Sequence, residues 1–226
     1  MIIRRLEWDS DFFGYETGEI VFQEKEHLEN YNNYKLIYIK SSQDFEKEIN
    51  YFKCEFSETK VVFEKELEFF PSEKKHIYSN NEIDFDINQL YELAFESGKY
   101  SRFKLDEKFT IKKFKELYQK WVDNSISRSF ADDVLIYSEN NQIMGFVTYK
   151  ISENFGTIGL IAVSPNFQGK GIGKKLLTFI ENVLFSKGIK TLIIPTQLIN
   201  ETAYNFYKNQ NYKIKETSFI KHYWRI

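Results

Sequence analysis

The residues best suited to chemistry lie in one loop, where Gln168, Gly169, Lys170, Gly171, Ile172, Gly173 and Lys174 set three alternate glycines between an apolar run and a helical pattern. Glycines let successive N–H groups converge on one point without intruding side chains, and a helix start adds unpaired amides and a positive dipole end. The expected guest is a phosphate or pyrophosphate. Tyr207, further along, offers a phenol that can donate one proton. Tyr100, Ser101, Arg102 and Phe103 form part of a basic, aromatic loop. There a guanidinium suits a forked contact with an anion, and the rings suit stacking.

Spacing separates the glycine loops that hold phosphates. A Walker loop ends Gly-Lys-Ser/Thr, whereas this one ends Gly173, Lys174, Lys175 and has no hydroxyl for magnesium. A dinucleotide fingerprint needs Gly-x-Gly-x-x-Gly directly after a strand and an acidic residue closing the next strand. Here the spacing is Gly-x-Gly-x-Gly, residues 164–168 intervene after Val163, and the next strand-like run, 191–197, carries no acid.

From Val163 through Pro165, Gln168, Gly169, Gly171, Ile172 and Gly173 the chain resembles the GNAT superfamily of acyl-CoA-dependent N-acyltransferases. That signature runs Val-x-Pro-x-x-Gln/Arg-Gly-x-Gly-Ile/Leu-Gly. A second matching stretch contains Asn200, Ala203, Phe206, Tyr207 and Tyr212, with Asn211 where the family usually has glycine. Asparagine is the next best residue for a left-handed helix terminus, so the cap is expected to survive.

The resemblance implies a GNAT fold of mixed α/β class, with a central, mostly antiparallel, splayed sheet flanked by helices. It also implies acetyl-CoA or another short-chain acyl-CoA as donor. It places the coenzyme A pyrophosphate on Gln168, Gly169, Lys170, Gly171, Ile172, Gly173 and Lys174. The pantetheine falls beside Leu160, Ile161, Ala162, Val163 and Asn200, whose neighbouring amides would also polarise the thioester carbonyl. Tyr207 becomes the acid for the departing thiolate, although its stripe with Ala203, Phe206 and Gln210 by itself reads first as buried aromatic packing.

Leu6, Trp8, Asp9, Ser10, Phe12, Phe13, Gly14 and Tyr15, together with Ser101, Arg102 and Phe103, resemble the TDP-fucosamine acetyltransferase branch of this superfamily. The implied acceptor is a nucleotide-linked amino deoxysugar, TDP-linked, used for surface polysaccharide, and the implied assembly is a homodimer. Residue types alone favour a solvated surface loop at 97–106, and the resemblance brings the two readings level. Acceptors of other kinds stay open: a protein N-terminus, a peptide or a polyamine. So does a non-catalytic acyl-CoA sensor. No spacing selects a general base; a water chain or a carboxylate such as Asp106 would serve.

Elements must position these groups. Strands are expected at 18–22, 35–41 and 60–70, with a short helix carrying Phe45, Ile49 and Phe52, which makes residues 1–70 a small N-terminal α/β accessory domain. Residues 71–83 read as a polar linker and 84–226 as the catalytic domain. There Asp86 caps a helix stopped by Gly98, and a second helix starts after Thr110. A hairpin turning at Asn140 and Asn141 leads into strand 157–163. A helix from about Ile172 ends near Gly188, strand 191–197 contains Pro195, Asn200 caps a helix, and a final strand covers 216–225.

Composition narrows the function classes. With 31 basic and 33 acidic residues among 226, the formal charge is −2, so no bulk electrostatic attraction to nucleic acid is expected. Cys54 is the single cysteine and reads as a small core residue; His27, His76 and His222 lack ligand spacing, so no metal site is expected. No apolar run approaches the roughly 18 residues of a membrane span, and the expected location is cytoplasmic.

Overall fold

The computed structural model describes residues 2–22, 31–71 and 74–226. Its ten strands are β1 (Arg4–Arg5), β2 (Thr17–Val21), β3 (Leu36–Ser41), β4 (Phe52–Glu66), β5 (Ile77–Ser79), β6 (Asp133–Glu139), β7 (Gln142–Ser152), β8 (Phe155–Val163), β9 (Thr191–Gln197) and β10 (Lys213–Arg225). The helices are α1 (Glu7–Phe13), α2 (Ile87–Ser97), α3 (Arg102–Leu105), α4 (Ile111–Ile126), α5 (Ile172–Ser186) and α6 (Glu201–Asn209). All strands join one mixed sheet in the order β1-β2-β3-β10-β4-β9-β8-β7-β6-β5. Strands from residues 1–70 and from 84–226 therefore interleave, with β10 between β3 and β4. The short β5, from the polar stretch after Pro71, pairs with β6 at the sheet edge.

Caps and turns follow local chemistry. The Asp86 carboxylate accepts from the Asn88 amide at 3.0 Å, and the Thr110 hydroxyl accepts from that of Lys113 at 3.1 Å. Asn140 and Asn141 take φ of 50° and 61°, as a two-residue hairpin turn requires. Gly98 ends α2 for a different reason from a left-handed cap. Its φ is −89°, but a Cβ there would stand 2.2 Å from the Tyr118 ring.

The sheet is covered on both faces. Leu36 and Tyr38 of β3 face a core built with α1, α2 and α4, while Ile37 and Ile39 face a second cluster with Phe45, Ile49 and Phe52. The expected helix at 45–52 is absent: Tyr51 takes φ 65° and Ile49 bridges Phe52, so a tight turn buries the three apolar side chains. Cys54, expected in the core, is exposed beside the register shift that displaces His222 and Tyr223 against β4. His27 lies outside the described residues.

Two features of β8 shape the site. Opposite Thr148, two residues, Gly159 and Leu160, occupy the space of one, since Val147 pairs with Ile161 and Tyr149 with Ile158. This bulge sends Ile158 to the α5 side and Leu160 and Ala162 to the α2 side. In addition, β8 and β9 pair in parallel only from Phe155 and Thr191 to Thr157 and Ile193. Beyond that point they part. Gly156 lets α5 pack closely there, because a Cβ would stand 2.6 Å from Leu184.

A buried polar clamp fixes β10. The Asp106 carboxylate lies 2.6 Å from His222 Nδ1 and accepts from Trp224 Nε1 at 2.9 Å. Burial lowers the His222 pKa to about 4, so the neutral ring donates to Asp106. Burial pushes the Asp106 carboxyl up, but the bonds from His222, Trp224 and the Lys108 amide prevail and hold it below the usual carboxylate range.

Both shifts have the same sign for stability. An unfolded histidine binds protons below its ordinary pKa while the folded one resists until about pH 4, and Asp106 adds its loss below the ordinary carboxylate value. Stability should fall by about 2 kcal/mol between roughly pH 7 and pH 5. Chemical denaturation across this range checks it, and His222→Gln should flatten the dependence.

Candidate active site

The glycine loop leaves β8 through a short turn and enters α5 at Gly171. Gly169 and Gly171 take φ of 76° and 77°, in the left-handed region, and a Cβ on either would meet nothing within 4 Å. Backbone conformation, rather than crowding, demands glycine at these two positions. Gly173 differs: its φ is ordinary, and an added Cβ would make only normal contacts, 3.5 Å from Phe206 and 3.7 Å from Val163. The Gln168 side chain donates to the Val163 carbonyl at 3.0 Å and braces the loop.

This loop forms one end of a cleft of about 390 Å³. Ile161, Ala162, Val163, Gln168, Gly169, Gly171, Ile172, Gly173, Lys174, Asn200 and Tyr207 all line it. Lys170 does not; its Nζ lies 4.9 Å from the Phe167 ring centre. The Leu160 amide donates to Thr148 Oγ1 at 2.9 Å, so it is already engaged rather than left for an acyl carbonyl. Asn200 caps α6, accepting from the Ala203 amide at 3.2 Å. Asn211 takes φ 64°, the left-handed conformation that glycine would adopt.

A second cavity, about 280 Å³, occupies the wedge where β8 and β9 part. Leu160, Ser101, Arg102 and Phe103 line it; Tyr100 lines neither cavity and sits under the Lys99 ammonium, 5.3 Å away. Phe103 is buried mainly against Phe109 and Trp121, while the Arg102 guanidinium lies 4.3 Å from the Tyr38 ring centre. Lys40 from β3 and Glu58 and Lys60 from β4 complete the polar lining. Sequence reasoning passed over these three. Nothing local marks them, because they reach the wedge only through the pairing of β3 and β4 with β10 and of β4 with β9.

Ser97, Ile161, Asn200, Ala203 and Tyr207 belong to both cavities. Tyr207 is 3% exposed, and burial raises its pKa, so the phenol stays protonated. The cradle, a channel and a proton donor at the junction with a charged pocket fit an extended cofactor with a pyrophosphate at one end and a reactive group at the other. Asp106 is only 1% exposed and faces neither cavity, which removes it as a proton acceptor for the reaction.

Residues 87–212, more than half the chain, match the acetyltransferase (GNAT) family. This chain belongs to that family. The family is one of acetyltransferases, and its donor is acetyl-CoA. The spore coat polysaccharide biosynthesis protein SpsD of Bacillus subtilis is 24% identical over 62% of this chain and 48% of its own length. The dTDP-fucosamine acetyltransferase of Escherichia coli is 26% identical over 59% of this chain and 58% of its own. The spermidine N(1)-acetyltransferase of Thermoplasma acidophilum is 28% identical over 58% of this chain and 85% of its own. Thus the chain spans about half the length of the first of these relatives. A crystal structure of the PaiA N-acetyltransferase of Thermoplasma acidophilum with coenzyme A superposes with TM-score 0.51 and 23% identity, covering 65% of this chain and 97% of that one. That likeness extends to the fold. No helix among the described residues is long and apolar enough to cross a membrane.

Two substitutions separate the halves of the site. Gly173→Ala should fold normally, because its Cβ makes ordinary contacts, yet weaken coenzyme A binding about tenfold, because the added methyl stands in the lining of the cleft and holds the pyrophosphate off one amide. Calorimetry beside a thermal melt distinguishes the two. Tyr207→Phe should lower kcat about 10²-fold with coenzyme A affinity unchanged, and an unaltered kcat would remove Tyr207 from the acid role.

Proposed function

We propose that this acetyltransferase acetylates the amine of a small acceptor that also carries a strong anion, and that the acceptor is a nucleotide-linked amino deoxysugar, TDP-linked. The observation that carries the reading is the charge of the wedge cavity, into which Lys40, Lys60 and Arg102 converge. Lys40 pairs with Glu19; Lys60 and Arg102 form no direct ion pair among the described residues. A diphosphate would satisfy them, with Arg102 in a forked contact. A polyamine would meet repulsion there. The likeness to dTDP-fucosamine acetyltransferase and to SpsD supports the same choice, while the spermidine acetyltransferase supplies the rival.

Acetyl-CoA, when bound, supplies a thioester carbonyl. The chain's own parts do the rest. The amides of residues 168–174 hold the pyrophosphate end, and Ile161, Ala162 and Val163 border the arm on the strand edge that β9 leaves open. Tyr207, kept neutral by burial, gives its proton to the departing sulfur. In this reading residues 84–226 are the catalytic unit and residues 1–70 the accessory unit that completes the acceptor side, contributing Lys40 and Lys60.

Thiol release from acetyl-CoA with TDP- and UDP-amino sugars, spermidine and N-terminal peptides tests the acceptor. The TDP-amino sugar should react fastest, and Arg102→Ala should raise its KM about tenfold or more without changing coenzyme A affinity. Preference for spermidine or a peptide would overturn the anionic acceptor.

A further inference from the structure

Glu58 is the one acidic side chain among the described residues that line the wedge cavity. It lies on β4 opposite Ile220 of β10, two residues before Lys60, where the pairing of β4 with β9 begins. Its β9 side therefore has no strand partner and opens on the wedge. Its Oε2 is sealed from solvent and makes no hydrogen bond among the described residues. A carboxylate in such a place ordinarily ends in an ion pair. Here Lys40 of β3 pairs with Glu19 instead, and Lys60 of β4 and Arg102 of α3 make no direct ion pair with Glu58. Asp9 of α1 and Glu216 of β10 act on the cations, and Tyr118 of α4 completes the surroundings.

The acceptor reading assigns an anion to these cations and leaves the carboxylate without a counterpart. The remaining charged group of such an acceptor is its ammonium. We propose that Glu58 receives the acceptor's ammonium and accepts its proton, so that a neutral amine meets the acyl carbonyl beside Tyr207. The inference rests on the wedge as the acceptor cavity, but not on which acceptor fills it.

The atoms balance. One proton passes from nitrogen to Glu58 and on to water. As the C–N bond forms and the C–S bond breaks, the sulfur takes the Tyr207 proton, and the second proton leaving nitrogen restores the phenol. The products are the amide, the free thiol and one proton. Burial raises the Glu58 carboxyl above the ordinary range against the pull of Arg102, Lys60 and Lys40, which brings its basicity closer to the working pH. Tyr207 and Glu58 lie in the same cavity, so acid and base address the two ends of one transfer.

The test is the pH dependence of kcat/KM for wild type and Glu58→Gln, using whichever acceptor of the panel wild type turns over fastest. The variant should lose about 10²-fold near neutral pH, and the gap should close to about threefold above the pKa of the acceptor's own ammonium, where no base is required. Coenzyme A affinity should be unchanged, and Glu58→Asp should recover part of the rate. A gap equal at every pH, as a binding or structural role would give, or no gap at all, overturns the proposal. If a polyamine or peptide is the fastest acceptor, the anionic reading falls, while the same profile still decides Glu58. An acceptor-independent measurement is the infrared titration of the acetyl-CoA complex between about pH 4 and 8, wild type minus Glu58→Gln. A carboxyl band titrating above the ordinary glutamate range is expected; its absence overturns the proposal.

Discussion

Everything in the site depends on the parting of two parallel strands after three residue pairs. While β8 and β9 pair, from Phe155 to Thr157, their backbone groups are spent on each other. Once they separate, the strand edge from Ile158 to Val163 needs other partners, and an unpaired buried edge is costly. The Leu160 amide at the bulge is taken by Thr148 of β7, on the other edge of β8. The remaining edge borders both cavities, so the same separation opens room on two sides.

Keeping the wedge open requires that neither strand collapse onto the other. On one side β8 is held by β7 and by α5, whose Leu184 packs over Gly156. On the other, β9 is held by seven pairs with β4, from Lys60 and Gln197 to Glu66 and Thr191. Lys65 of β4 bonds Glu181 of α5 at 2.9 Å, and Tyr212 donates to the same carboxylate at 2.7 Å. This buried bond set ties the helix that begins at the cradle to the strand that braces the wedge. The cradle and the wedge are thus mechanically one body, although their residues lie far apart in the sequence.

The donor half was legible in the sequence because its determinants are local. Left-handed glycines, a helix start, an Asn cap and a positive-φ Asn211 are each decided within a few residues, and their spacing is visible in one dimension. Of the wedge lining, the sequence singled out Ser101, Arg102 and Phe103. Lys40, Glu58 and Lys60 are ordinary alternating charges until β10 and β9 fix which face of β3 and β4 meets the wedge. Tyr100 looked equivalent to its neighbours, yet it lies before the turn into α3 and points elsewhere. The helix expected at Phe45, Ile49 and Phe52 failed for a related reason: apolar spacing identified burial correctly, but a positive-φ turn achieves it without a helix.

The position of β10 has a consequence for how the chain reaches this form. β3 and β4 are consecutive in sequence but never neighbours; residues 213–225 lie between them and pair with both. No hairpin can nucleate between them, and the sheet closes only after a strand synthesised some 150 residues later slides into the gap. Until then, the apolar stretch Leu36, Ile37, Tyr38, Ile39, fully buried on both faces in the finished protein, has one paired edge and one open edge. That makes the emerging chain dependent on chaperoning, or on speed, at the strand that later carries Lys40.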